Sequence, residues 1–157
     1  MPLYGELVKD HQVLYTAGGS AQNTMRAAQW MLPAGSAVFV GCIGRDANGE
    51  TLRRVATEDG LQTEYLEDGE TPTGVCAVLV TQRGKCRSLV ANLGAANKYS
   101  VEHARSAHLQ RVLEDARCIY ISGFFLTVSP ATALEVAEKA HQQGKALPIA
   151  IGRSYGS

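Results

Sequence analysis

The chain has 157 residues, is 45% hydrophobic and 19% charged, and balances 15 acidic against 15 basic side chains. That length and composition suit one core, and zero net charge gives no global field for nucleic acid or an anionic membrane surface. No apolar run approaches the roughly 20 residues of a membrane-spanning helix, so a soluble protein with small-molecule partners is expected. Cys42, Cys76, Cys86 and Cys118 form no CxxC pair and have no histidine at zinc spacing. No secretory apolar segment precedes them, so they read as reduced thiols in a cytosolic protein.

In chain order, Val13 to Ala17 reads as a short strand entering a Gly18-Gly19 turn. Ser20 to Met31 follows as a helix stopped by Pro33. The run "AVFVGCI", Ala37 to Ile43, is continuous and rich in β-branched and aromatic residues. It suits a parallel strand covered on both faces. "GRDANGETLRRVATEDG" gives a helix capped near Asp46 and Asn48 and ended by Gly60. Thr63 to Glu67, Val75 to Gln82 and Cys86 to Asn92 then read as strands without intervening helices, with a tight hairpin turn at Arg83-Gly84. A helical pattern returns from Ser100 to Ala116, "CIYISGFF" reads as a second buried strand, and Pro130 to Gln143 as a helix with an early proline. The expected fold is therefore an α/β core interrupted by a small antiparallel sheet, without repeats or long linkers.

Several stretches admit both a structural and a chemical reading. In "TAGGSAQNTMRAAQW", Ser20 suits an N-cap and the glycines a turn. Alternatively, the bare glycines admit a ligand to exposed helix amides and the Asn23 carboxamide. Taken alone, the stretch favours the structural reading. Around the hairpin, alternation places Arg87, Leu89 and Ala91 on one face, opposite Val80, Val78 and Cys76. That face is either a half-buried sheet surface with Arg87 at its rim, or an apolar lid over a flat ligand with Arg87 reaching a charged group. "SGFFLTVSP" follows a buried strand, where ligands border an open α/β sheet, and Phe124 or Phe125 could stack on a planar group. Paired phenylalanines are also ordinary core. Asp46 reads as a helix cap, Gly84-Lys85 lacks the spacing of a P-loop, and the four scattered histidines receive no catalytic role.

Together, "AGGSAQNTMRAAQWM", "GCIGRDANGE", "PTGVCAVLV", "RSLVANLGAAN" and "YISGFFLTVSP" resemble, in order, stretches of the ribokinase-like carbohydrate kinase family. "RSLVANLGAAN" and "GFFLTVSP" point to its adenosine kinase branch. The resemblance runs from about Leu7 to Lys145 and implies a partial doubly wound α/β core with a small β-sheet lid, the lid strands lying near residues 11–17 and 63–92. It also implies phosphoryl transfer from ATP, with Mg²⁺, to the 5′-hydroxyl of adenosine, giving AMP in purine salvage. A kinase for another nucleoside or a sugar, and a non-catalytic nucleoside-binding module, are the alternatives.

By resemblance, Gly18, Gly19, Ser20 and Asn23 meet the ribose hydroxyls, and Cys76, Leu89, Ala91, Leu93 and Phe124 line the nucleoside pocket. Arg87 approaches the transferred phosphate. An asparagine suits a neutral diol because its amide both donates and accepts. The family's glycine-rich "GAGD" loop and its catalytic aspartate have no counterpart here, nor does an earlier strand that carries a ribose-binding aspartate. The chain therefore resembles a fragment without a catalytic residue, and its segment from Ala146 to Ser157 departs from the expected pattern. A monomeric complete enzyme in the cytoplasm, and also the nucleus, is the implied setting.

Overall fold

The apolar run at 37–43 forms β1 (Val38–Gly44), which pairs in parallel with β2 (Gln62–Asp68). The crossover between them is α3 (Ala47–Glu58), which leaves β1 through the Asp46 cap and ends at Gly60, whose φ of +78° suits a residue without Cβ. The computed structural model describes residues 2–81 and 84–150 of the chain.

Two helices precede this unit, α1 (Pro2–Asp10) and α2 (Ser20–Met31). After it, β3 (Val75–Thr81) and β4 (Cys86–Asn92) form an antiparallel hairpin. A 3-10 turn (Gly94–Lys98), α4 (Val101–Ala104) and α5 (Ala107–Asp115) return the chain to the core. The two-residue strand β5 (Ile121–Ser122), α6 (Phe125–Val128), α7 (Pro130–Gln142) and β6 (Ile149–Ala150) complete the order, with β5 parallel to β6. Among the described residues, no helix is long and apolar enough to cross a membrane.

Among the described residues, the core has two apolar centres. Ala37, Ala56 and Leu61 pack with Met25 and Phe39 where α2 and α3 cover the start of β1. Cys42, Ala95, Tyr99 and Ala104 pack with Val40, Leu66, Phe125 and Val128 on the other side. The buried side of α2 is partly polar, because Gln22 and Gln29 point inward. Both are satisfied, as buried amides require. The Tyr65 hydroxyl donates to Gln22 Oε1 at 2.6 Å, while Gln22 Nε2 donates to the Leu52 carbonyl at 3.2 Å. Gln29 Oε1 accepts from the Ala37 amide at 3.0 Å and its Nε2 donates to the Pro33 carbonyl at 2.8 Å. Directional bonds therefore fix how α2 sits on the sheet.

The expected hairpin register holds at every pair, with Val80 opposite Arg87, Val78 opposite Leu89 and Cys76 opposite Ala91. Gln82 and Arg83, expected at the strand end and turn, lie outside the described residues. Several expectations are corrected. Residues 12–19 carry no regular structure, so no lid strand occupies 11–17. Leu14 and Tyr15 are 86% and 70% exposed, and a strand pattern without a neighbouring strand has no ladder to join.

Thr63 to Glu67 is a strand, but it lies beside β1 in the parallel pair, because α3 supplies the crossover that such pairing needs. Among the described residues, the only antiparallel pair is the β3–β4 hairpin. "CIYISGFF" gives an isolated bridge from Cys118 to Ala146 and only two strand residues, 121 and 122. From Gly123 the backbone closes a helical turn, with the Leu126 amide on the Gly123 carbonyl at 3.2 Å. Within the segment after Lys145, Ile149 and Ala150 form β6. Residues 151–157 lie outside the described residues.

Candidate functional site

The start of α2 differs from the expected serine cap. Gly19 occupies the N-cap position at φ +101°, no side chain caps the helix, and Ser20 is its first helical residue. A Cβ at Gly18 or Gly19 would meet nothing within 4 Å, so the glycines stand against open space, and at Gly19 the positive φ selects glycine. An uncapped helix start leaves its first-turn amides available to an acceptor from outside. The Asn23 amide closes the first helical bond to the Gly19 carbonyl at 2.9 Å. Its side chain is exposed, and its carbonyl oxygen accepts from Arg26 at 3.3 Å. Arg26 is anchored by Asp59 at 2.5 Å.

The hairpin has two unlike faces. Val75, Ala77, Leu79 and Val90 are half-buried, whereas Cys76, Val78, Val80, Arg87, Leu89 and Ala91 are all exposed. Val78 and Leu89, directly opposed, are 50% and 58% exposed. This outward face is apolar with Arg87 at its end, and nothing among the described residues covers it. Leu93 lies half-buried where β4 runs into the 3-10 turn. Phe124, half exposed, follows β5, while its neighbour Phe125 turns inward and meets the Tyr99 ring edge-on at 5.3 Å. One phenylalanine of the pair is thus core and the other free.

Arg87, Leu89, Ala91 and Cys76 share one surface, and Leu93 follows β4 at the hairpin's base. The Gly18 to Asn23 group and Phe124 belong to separate elements, although α2 packs against both β1 and β5. No hydrogen bond or ring contact joins the three groups among the described residues. Clefts of about 390 and 400 Å³ lie elsewhere, the first beside Arg45, Asp46, Arg53 and Glu67, the second beside Thr57 to Glu64. The expected site residues therefore fall into three separate groups on an open surface.

Asp46 is the cap that the sequence suggests, with Oδ1 accepting from the Gly49 amide at 2.9 Å. Its second role carries no local sequence signal. Oδ1 also accepts from the Thr73 hydroxyl at 2.7 Å and Oδ2 from the Thr73 amide at 2.7 Å. Burial pushes this carboxyl up, but the bonds from Thr73, Gly49 and Asn48 outweigh it and hold its pKa below the usual value. Thr73, buried just before β3, belongs to the "PTG" triplet. Burial raises the Cys42 thiol to about 11 and the Tyr65 and Tyr99 hydroxyls to about 12, as befits inert core groups. Among the described residues, no group of three or more His, Cys, Asp or Glu side chains could hold a metal ion.

An α/β core carrying an antiparallel hairpin, with a glycine-led helix at its edge, defines a sugar-kinase type of architecture, and the chain belongs to the pfkB family of carbohydrate kinases, whose profile matches residues 2–155. That match extends past both ends of the stretch from Leu7 to Lys145. Within the family, the chain is 44% identical over 139 residues to adenosine kinase from Schizosaccharomyces pombe, covering 88% of this chain and 41% of that protein. The structure of Anopheles gambiae adenosine kinase, in complex with P1,P4-di(adenosine-5) tetraphosphate, superposes with a TM-score of 0.89 at 44% identity, covering 94% of this chain and 44% of that one. An adenosine kinase from Schistosoma mansoni in complex with adenosine gives 0.88 at 31% identity, covering 94% and 43%. The chain thus spans less than half the length of these relatives.

Proposed function

We propose that this chain carries the nucleoside-binding side of an adenosine kinase. The observation that supports this best is the outward hairpin face, apolar along its length and cationic at Arg87. Such a surface suits a flat base next to a phosphate group, because the base gains by leaving water and the phosphate by meeting a guanidinium. In this reading Cys76, Leu89, Ala91 and Leu93 cover the nucleoside, and Phe124 stacks on it from the core. The uncapped start of α2 and Asn23 hold the ribose diol, with the carboxamide donating to one hydroxyl and accepting from the other. Gly18 and Gly19 keep that approach clear.

The reaction moves the γ-phosphoryl group of ATP to the adenosine 5′-hydroxyl. A bond forms from O5′ to phosphorus as the bond to the ADP oxygen breaks, and the hydroxyl proton leaves to a base. We assign to this chain the binding and orienting of the acceptor, the exclusion of water under the hairpin, and the steadying of phosphate charge by Arg87. Among the described residues, no group of three or more His, Cys, Asp or Glu side chains is placed to hold Mg²⁺ by itself. Calorimetric titration with adenosine, guanosine and ribose tests the assignment, and adenosine is expected to bind best. Preference for free ribose would refute it.

A further inference from the structure

The hairpin joins the core through a small number of contacts. Neither β3 nor β4 packs extensively against any other element among the described residues, and beyond its base the hairpin is held by the Tyr4 hydroxyl, which donates to the Val90 carbonyl at 2.7 Å. Its two limbs pass through one tight knot. The Ala95 amide donates to the Pro72 carbonyl at 2.8 Å, linking the outgoing limb to the incoming one. Four glycines leave no room there. A Cβ would come within 2.5 Å of Thr71 O at Gly44, of Gly44 O at Gly49 and of Leu93 O at Gly74, and within 2.3 Å of Pro72 O at Gly94.

At the centre of the knot sits Thr73, which is 4% exposed. Its hydroxyl accepts from the Gly44 amide at 2.9 Å and donates to Asp46, while its own amide donates to the other Asp46 oxygen. Two bonds therefore join the Asp46 carboxylate, just past the end of β1, to Thr73 at the entrance to β3, and a third ties the Thr73 hydroxyl to the Gly44 backbone, in a space where a Cβ on any of the four glycines would crowd backbone.

We infer that Asp46 and Thr73 are positioning residues, a clasp that fixes the angle of the hairpin over the nucleoside surface without touching the ligand. The ligand in this inference rests on the nucleoside reading above; the clasp itself rests on the geometry. Helix capping alone does not account for it, because a cap needs only the Gly49 bond. The two Thr73 bonds reach instead into the limb that carries Cys76. Rigid support from behind is what keeps a contact surface in register with its ligand.

The test uses the 157-residue chain with Thr73→Val, which preserves shape but leaves the Gly44 amide unpaired, and Thr73→Ser, which keeps the hydroxyl. Amide exchange is followed over β3 and β4, with β1 and β2 as the internal reference. Removing a buried partner is expected to speed hairpin exchange about tenfold in Thr73→Val and to leave β1 and β2 within about twofold. Thr73→Ser is expected to match the parent.

Adenosine titration on the same preparations is expected to show about tenfold weaker binding for Thr73→Val only. Hairpin exchange unchanged, or acceleration spread equally over β1 and β2, overturns the clasp. A loosened hairpin with unchanged adenosine affinity overturns the positioning role. No heat from the parent together with a loosened hairpin supports the clasp and overturns the nucleoside reading instead. Should Thr73→Val not fold, Asp46→Asn retains an oxygen for the cap while setting an amide against Thr73. The same local loosening is expected, and loss of fold in both variants overturns the assignment.

Discussion

Asn23→Ala separates a helix residue from a ribose ligand. Asn23 lies in the first turn and a half of α2, exposed, with one 3.3 Å bond to Arg26. Alanine is the better helix former by roughly half a kcal/mol. The lost exposed contact is worth about 0.2–0.5 kcal/mol, and Arg26 keeps Asp59 at 2.5 Å. The two effects nearly cancel, so the melting temperature should stay within about 2 °C of the parent. If the carboxamide holds the diol, its loss leaves a buried hydroxyl pair unpaired and costs about 1–3 kcal/mol. That corresponds to about 5- to 150-fold in Kd. The assay pairs a thermal melt with calorimetric titration of adenosine and of 2′,3′-dideoxyadenosine, which lacks the hydroxyls in question. A large loss for adenosine and a small one for the dideoxy compound is expected. Equal losses for both ligands would refute the assignment, since Asn23 would then act through the fold.

Leu61→Ala should cost about 2–5 kcal/mol in denaturant unfolding, because Leu61 is 2% exposed between α3 and β1 and its truncation leaves a cavity beside Ala37 and Ala56. Gly94→Ala should cost about 1–3 kcal/mol, since φ is +47° and the new Cβ would meet the Pro72 carbonyl at 2.3 Å. Acidification should lower the melting temperature in two windows. Half-burial, with His108 nearby, holds His103 below its ordinary value of 6.5 despite Glu64, so its unfolded form binds the proton first and stability falls as pH drops below about 6.5. His103→Gln should flatten that window. Asp46 lies below its ordinary 3.8, as do Asp68, Glu114 and Glu135 relative to their own values, so the second loss begins as pH falls below about 4.

The order of elements was legible wherever one local pattern decided the outcome. The apolar run of β1 needed cover on both faces, and alternation through Val75 to Asn92 gave each hairpin pair its partner. The same alternation told which residues share a face, but not whether that face meets core or solvent, because an apolar surface reads alike in both settings. The misreadings share a different cause. Val13 to Ala17 has strand propensity without a strand beside it, and pairing is a property of two segments. Ser20 was the better cap by residue type, yet the cap fell one position earlier, where only glycine tolerates φ +101°. Thr73 escaped notice because its partners lie 27 and 29 residues upstream, beyond any periodic signal.

A two-stranded ribbon is marginally stable by itself and gains little by exposing apolar side chains on both faces. Here the inward face is half-buried and the outward one open, yet the outward face carries Val78, Val80 and Leu89 in place of the polar residues that solvent would favour. Leaving such residues in water costs stability, so the composition of that face answers to something that covers it. A neighbouring protein surface would accept further charges around the rim. Under the proposed nucleoside-binding role, the covering surface must be apolar with a cation toward the phosphate, and the face from Cys76 and Ala91 to Arg87 has that order. The knot of glycines at the hairpin base fits the same demand, because a flat ligand is covered well only when the covering surface keeps a fixed angle.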